Sequence, residues 1–142
     1  MNSLEKIDSV SKIIEVQFFG NFQKETLLPI VRQTRIKALK SDHKIIFDFR
    51  ESHIQFSVAD AYYWIPNYYD VIDPLIKIVP VANIPGEKNF DLFSFLETAF
   101  INKGAQIRLC SNERDSIDWL NQNKSNNFEM LGIRQTEVFL EN

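Results

Sequence analysis

This chain of 142 residues is poor in three residue types that build many functional sites: it has one cysteine, four glycines and two histidines. Cys110 alone cannot close an internal disulfide or form a cysteine metal cluster. Four glycines leave no glycine-rich loop, so the phosphate-cradling and dinucleotide-binding fingerprints are absent. His43 and His53 flank one apolar stretch at its opposite ends. At roughly 3.3 Å per extended residue they stand too far apart to share a metal, and they read as loop or surface histidines. No uninterrupted apolar run approaches the roughly 20 residues that span a bilayer. The first residues, Met1 to Asp8, lack the apolar core of a signal peptide. A formal net charge of −3 argues against the concentrated positive surface that nonspecific nucleic-acid binding needs. These absences lead us to expect a cytoplasmic protein without a nucleic-acid partner or a transmembrane segment.

The chain does carry the composition of an ordinary globular domain. Hydrophobic residues make up 44% and charged residues 25%, and twelve phenylalanines supply large apolar area. A chain of this length buries roughly two thirds of its unfolded surface and needs no staple. We expect one domain over residues 1–142, with 122–142 as a C-terminal extension.

Along the chain, short apolar runs alternate with helical patterns. Residues 4–10 read as a short strand or a loose arm. Residues 12–19 read as a strand with Ile14, Val16 and Phe18 on one face, closed by Gly20-Asn21. A helix follows over 26–40, with Leu27, Val31, Thr34 and Ala38 inward. Pro29 is accommodated if Thr26 is the N-cap, and a start near Gln23 would kink the helix there. Arg32, Arg35, Lys37 and Lys40 read as its solvated face. The run 44–49 is the clearest strand, with Ile45, Phe47 and Phe49 on one face and Ile46 and Asp48 on the other. Ser57 and Asp60 can cap a second helix, with Ala61, Ile65 and Tyr68 as its stripe. Residues 75–82 read as a strand whose end is weakened by Pro80. A third helix covers about 90–103, stopped at Gly104. A strand over 105–109 follows, and then a helix capped by Asn112, with Ile117 and Leu120 as core contacts. Phe128 and Met130-Leu131 can fold back onto the domain, and residues 133–140 can add an edge strand. The alternation predicts an α/β fold, a four- to five-stranded mostly parallel or mixed sheet with interleaved helices.

The pattern resembles the SpoIIAA-like domains of the STAS and SEC14-like group over roughly residues 12–121. The resemblance rests on the opening strand into Gly20, on Phe47-Asp48-Phe49-Arg50, on the strand ending Val81-Ala82, on the Phe-rich helix closed by Gly104, and on Asp115-Ser116-Ile117-Asp118-Trp119-Leu120. Ser116, Trp119 and Leu120 fall where the family places a small residue and then Trp-Leu, which implies a packing role. Anti-sigma-factor antagonists of the wider group act by protein contact, switched by phosphorylation of a serine near a helix N-terminus after the second strand. That region offers Ser52 and Ser57 here, without the family's Asp-Ser-Ser/Thr-Gly signature. SEC14-like relatives bind lipids with a larger chain.

Other residues are chemically capable in principle. Cys110, between Arg108 and Arg114, ends a strand before a helix, a place that can activate a thiol, although a half-buried structural cysteine is the simpler reading. Asp48, Glu51, Asp70 and Asp73 can gather at the carboxyl end of the sheet, where acid–base work or Mg²⁺ binding is chemically open. Capping, turn formation and pairing with Arg50 account for them more simply. We therefore assign no catalytic residue, cofactor or metal. Tyr62, Tyr63, Trp64, Tyr68 and Tyr69 cannot all be buried on one helical face and form the candidate interface. The leading expectation is a noncatalytic interaction or regulatory domain that contacts another protein or itself. The alternative is a module for a small apolar ligand or lipid.

Overall fold

A computed structural model of the chain describes residues 2–67 and 77–122, with side chains through Tyr63 in the first stretch. The elements follow in the order β1 (Asn2–Asp8), β2 (Ile13–Phe22), α1 (Lys24–Ser41), β3 (Lys44–Ile54), α2 (Val58–Asn67), β4 (Val81–Ile84), α3 (Phe90–Ile101), β5 (Ile107–Leu109) and α4 (Glu113–Gln122). The strands form one sheet in sequence order. β1 runs antiparallel to β2, and every other neighbouring pair is parallel. The described residues thus form an α/β domain on a five-stranded mixed sheet, as the alternation predicts. None of its helices is long and apolar enough to cross a membrane, among the described residues.

The N-terminal arm is a strand. All of β1 is exposed, so no buried alternation marked it in the sequence. Asp8 turns the chain toward β2, its Oδ1 accepting the amides of Val10 and Ser11 at 2.9 and 3.2 Å. These bonds hold its carboxyl below the usual range.

One face of the sheet carries the main core. Ile14, Val16, Phe18, Phe47, Phe49, Val81 and Ile107 meet Leu27, Val31, Ala38 and Leu39 of α1 and Leu92, Phe93, Leu96 and Phe100 of α3. The rings of Phe18 and Phe49 stack at 4.6 Å, and the Phe93 ring lies tilted 4.6 Å from that of Phe49. Each buried phenylalanine contributes roughly 1.5–3 kcal/mol, and such ring pairs add about 0.5–1.5 kcal/mol. The opposite face holds a smaller core of Ile13, Ile46, Ala82, Ile84 and Cys110 under Leu120 of α4, with Trp119 packed alongside.

Several elements differ from the sequence reading. α1 starts two residues early, with Gln23 as N-cap and Pro29 inside the helix. Thr26 still serves the start, since its hydroxyl accepts the Gln23 amide at 3.1 Å. Arg35 is buried rather than solvated. It stands one turn after Val31 and one before Leu39, on the inward stripe of a helix with 3.6 residues per turn. β4 begins only after Pro80, which has no amide hydrogen for the ladder. On α4 the buried pair is Ser116 and Leu120, while Ile117 is 37% exposed. A small residue at 116 lets the helix approach the sheet. The expected strand over 133–140 and the contacts of Phe128, Met130 and Leu131 lie outside the described residues.

Candidate functional site

In parallel strands the carboxyl ends gather on one edge of the sheet, and here that edge is shaped by an irregularity in β3. Gln17 of β2 pairs with Asp48, but Phe19 pairs with Glu51. β3 therefore carries one extra residue between those pairs, a bulge that re-aims the side chains beyond it. Asn89 stitches this bulge to the loop after β4. Its side-chain nitrogen donates to the carbonyls of Phe49, Ser52 and Pro85 at 3.2, 3.0 and 2.9 Å. Its oxygen accepts the Ile54 amide at 3.0 Å. Gly86 lets that loop close in: at φ +73°, an added Cβ would stand 3.0 Å from the Arg50 Cα. The sequence reading missed Asn89. An asparagine one residue before a helix looks like a cap, and here it makes no side-chain cap bond.

Arg50 is thereby held at the bulge within β3. Its guanidinium donates to Asp48, Nε to Oδ1 at 3.0 Å and Nη2 to Oδ2 at 2.7 Å, and Nη2 also reaches Glu113 Oε1 at 3.2 Å. Burial pushes the Asp48 carboxyl up, but the hydrogen bonds and charge of Arg50 outweigh it and hold the group below its ordinary value. The bond to Asp48 keeps Arg50 firmly protonated. Glu15 joins from β2, and one carboxylate oxygen of each of Glu15, Asp48 and Glu113 lies within 4.8 Å of the others. Arg50 supplies the cation that such a cluster needs, so the arrangement is an internal ion-pair network. Of the other acids read as a possible cluster, Glu51 is exposed, and Asp70 and Asp73 lie outside the described residues.

The second feature of this edge is an aromatic surface on α2. Ser57 and Asp60 cap the helix reciprocally: Ser57 Oγ accepts the Asp60 amide at 3.1 Å, and Asp60 Oδ2 accepts the Ser57 amide at 3.0 Å. These bonds depress the Asp60 carboxyl. Ala61 is buried, while Tyr62 and Tyr63 are 69% and 80% exposed. Their rings meet edge to face at 5.8 Å. Tyr63 borders an open groove of about 480 Å³ lined by Gln23, Lys24, Glu25, Gln55, Phe56 and Asp60.

Of the aromatic candidates, Tyr62 and Tyr63 therefore lie together on the surface. Trp64 falls within α2 with its side chain undescribed, and Tyr68 and Tyr69 lie outside the described residues. The two serines separate. Ser57 is exposed, whereas Ser52 is buried and donates its hydroxyl to the Phe49 carbonyl at 3.1 Å. His43 is buried, its Nδ1 donating to the Ser41 carbonyl at 2.8 Å, and His53 is exposed. The burial differs from the loop or surface position that the sequence implies for His43. It is drawn inward because it directly precedes the buried strand β3. Cys110 is buried, and burial pushes its thiol up, away from the reactive thiolate. The apolar space between α1, α3 and the sheet amounts to about 50 Å³, against the roughly 300 Å³ or more of a small-molecule pocket.

Fold and surface together define an α/β domain with helices interleaved on a mixed sheet. Among solved structures, the chain is similar to the anti-sigma factor antagonist SpoIIAA in its unphosphorylated form, with a TM-score of 0.47 and 11% identity over 84% of this chain and 98% of that one. No protein-family model and no curated protein sequence matches the chain.

Proposed function

We propose that this chain is a noncatalytic protein-interaction domain with a regulatory role, and that its contact surface is the α2 face beside the α1–α2 groove. The observation that carries this reading is the exposed pair Tyr62 and Tyr63 next to a groove with a mixed polar and apolar lining. Tyrosine supplies large, rigid contact area with a polar tip, and such residues anchor protein interfaces. Among the described residues nothing in the packing requires two adjacent tyrosines there, because Ala61 already fills the core position of that turn. The partner is another protein or a second copy of this chain. Ser57, exposed at the start of the same helix, is the position at which added charge would alter that surface.

Sedimentation of the purified chain over a wide concentration range tests self-association, with the Tyr62→Ala, Tyr63→Ala double variant as control. Concentration-dependent mass that the variant loses supports a homotypic contact. If the chain stays monomeric, site-specific photocrosslinking from position 63 in cells tests a heterotypic one. A monomer that forms no position-specific crosslink would sink the reading.

A further inference from the structure

The ion-pair network under α4 sets three carboxylates, Glu15, Asp48 and Glu113, around the Arg50 guanidinium. Arg50 bonds to Asp48 and Glu113 but makes no such bond to Glu15, the third carboxylate within 4.8 Å. Glu15 Oε2 is shut off from solvent with no hydrogen-bond partner among the described residues. Its register partner on β1 is Lys6, on an exposed outer strand. The charged groups around Glu15 are thus Lys6 from β1, Asp48 and Arg50 from β3, and Glu113 from α4.

Glu113 opens the first turn of α4, and Glu15 lies beneath it. The far end of that helix is secured differently. Leu120 is fully buried, and Lys44 Nζ donates to the Leu120 carbonyl at 2.7 Å. One end of α4 therefore rests on apolar packing and a charge-assisted bond. At the other end Glu113 accepts a hydrogen bond from Arg50 and also faces the Glu15 carboxylate, a group of its own sign.

We propose that Glu15 is an acid-operated clasp for α4: it takes a proton from solvent, and the new carboxyl O–H donates to the Glu113 or Asp48 carboxylate, drawing the first turn of the helix onto the sheet. Deprotonation returns the proton to solvent and restores the repulsion between Glu15 and Glu113. Burial and the neighbouring Glu113 charge both favour the protonated form, in keeping with the geometry. The exposed consequence is on the smaller core, since α4 is the helix that covers Ile46, Ala82 and Ile84.

Amide hydrogen exchange of α4 across the range from neutral pH down to the ordinary glutamate value of 4.5, corrected for intrinsic rates, tests the clasp. We expect protection of the first α4 turn to rise several-fold on acidification, and Glu15→Gln to hold the high level at every pH. Equal pH response in the parent and in Glu15→Gln, or lower protection in acid, would overturn the proposal. Should Glu15→Gln fail to fold, the parent still decides by NMR: the Glu15 carboxyl and the α4 amides must titrate together. A Glu15 titration that leaves those amides unmoved counts against the clasp.

Discussion

The Arg50 guanidinium lies side-on to the Asp48 carboxylate, with two hydrogen bonds at 3.0 and 2.7 Å, and the Arg50 amide donates to the same Asp48 oxygen at 3.0 Å. The two partners are unequally buried. The Asp48 side chain is 7% exposed and that of Arg50 is 38% exposed. Removing one partner of a pair leaves the other to be solvated, so the variant that strands the buried member costs more. Arg50→Ala leaves Asp48 and Glu113 without their guanidinium and is expected to cost about 2–3 kcal/mol, below the buried-pair range because Arg50 is partly solvated. Asp48→Asn keeps an acceptor for the Arg50 amide and leaves Arg50 near Glu113 and water, so about 1 kcal/mol is expected. Urea denaturation of both variants checks the order, and a larger loss in Asp48→Asn would contradict it.

Asn89→Ala removes one side chain that serves three carbonyls and one amide. Phe49 O keeps the Ser52 hydroxyl, but the other groups lose this partner inside the domain. An unsatisfied buried polar group costs about 1–3 kcal/mol, so a loss of about 3 kcal/mol or more is expected. Asn89→Asp is expected to be nearly as damaging, because a carboxylate cannot donate to those carbonyls. Thermal unfolding measures both, and a shift of only a few degrees in either would show that the bulge is held by other means.

These two relationships also show where the sequence stopped being legible. The apolar alternation of Ile45, Phe47 and Phe49 placed β3 and its faces, because burial on a strand repeats every second residue. The Ser57–Asp60 and Asn112–Asp115 caps were readable because they are local. The bulge in β3 and the role of Asn89 were not, since they depend on bonds between residues about 40 positions apart. β1 was legible only as a short strand or a loose arm, because it buries nothing, and Arg35 misled because charge suggested solvent where helical spacing from Val31 to Leu39 put the residue inside. The sequence left open which of the five aromatic residues face solvent, because the helical stripe does not decide it, and the exposure of Tyr62 and Tyr63 is read from the structure; the separation of Ser52 from Ser57 needed the register of β3. Glu15 gave no signal, as its neighbours Asp48 and Glu113 come from other elements.

The pH dependence of stability follows from opposite displacements in one network. Burial, and next the Glu113 charge, raise the Glu15 carboxyl above 4.5 in the folded chain. Its contribution is fully present below 4.5 and is lost as pH rises through the raised folded value. Asp48 is depressed: burial raises it, but Arg50 more than reverses that. Its contribution is present above 3.8 and is lost as pH falls through the lowered folded value. Stability in urea is therefore expected to peak on the acid side of neutrality and to fall in stronger acid. Glu15→Gln should flatten the neutral limb and leave the acid limb. Cys110 adds an alkaline limb, since its thiol, raised by burial above 9.0, loses its contribution as pH rises through the folded value. Cys110→Ser should remove that limb alone.

Tyr62 and Tyr63 are expected to behave as surface residues in stability and as anchors in binding. Exposed substitutions usually change stability by no more than about 0.5 kcal/mol, whereas truncating an interface anchor costs about 2 kcal/mol or more of binding. Tyr63→Ala should thus leave the melting temperature unchanged and weaken a partner contact by roughly thirtyfold, as 1.4 kcal/mol corresponds to tenfold. Equal losses in folding and binding would assign these tyrosines to the core instead.

Ser57 and Asp60 make a charge at position 57 a conflicted signal. A phosphate there would sit at the positive end of α2, which favours it. It would also face the Asp60 carboxylate, which already takes the Ser57 amide at 3.0 Å. Ser57→Ala loses one cap bond and is expected to cost about 1 kcal/mol. Ser57→Glu adds repulsion to that loss and should cost more. Combining Ser57→Glu with Asp60→Asn removes the like charge and should recover part of the stability, so the pair is expected to be non-additive in a double-mutant cycle. Thermal melting of the four chains measures the coupling. If Ser57→Glu is as stable as the parent while Asp60 is intact, the cap is no barrier to charge, and modification at Ser57 would have to act on the Tyr62–Tyr63 surface without disturbing the start of α2.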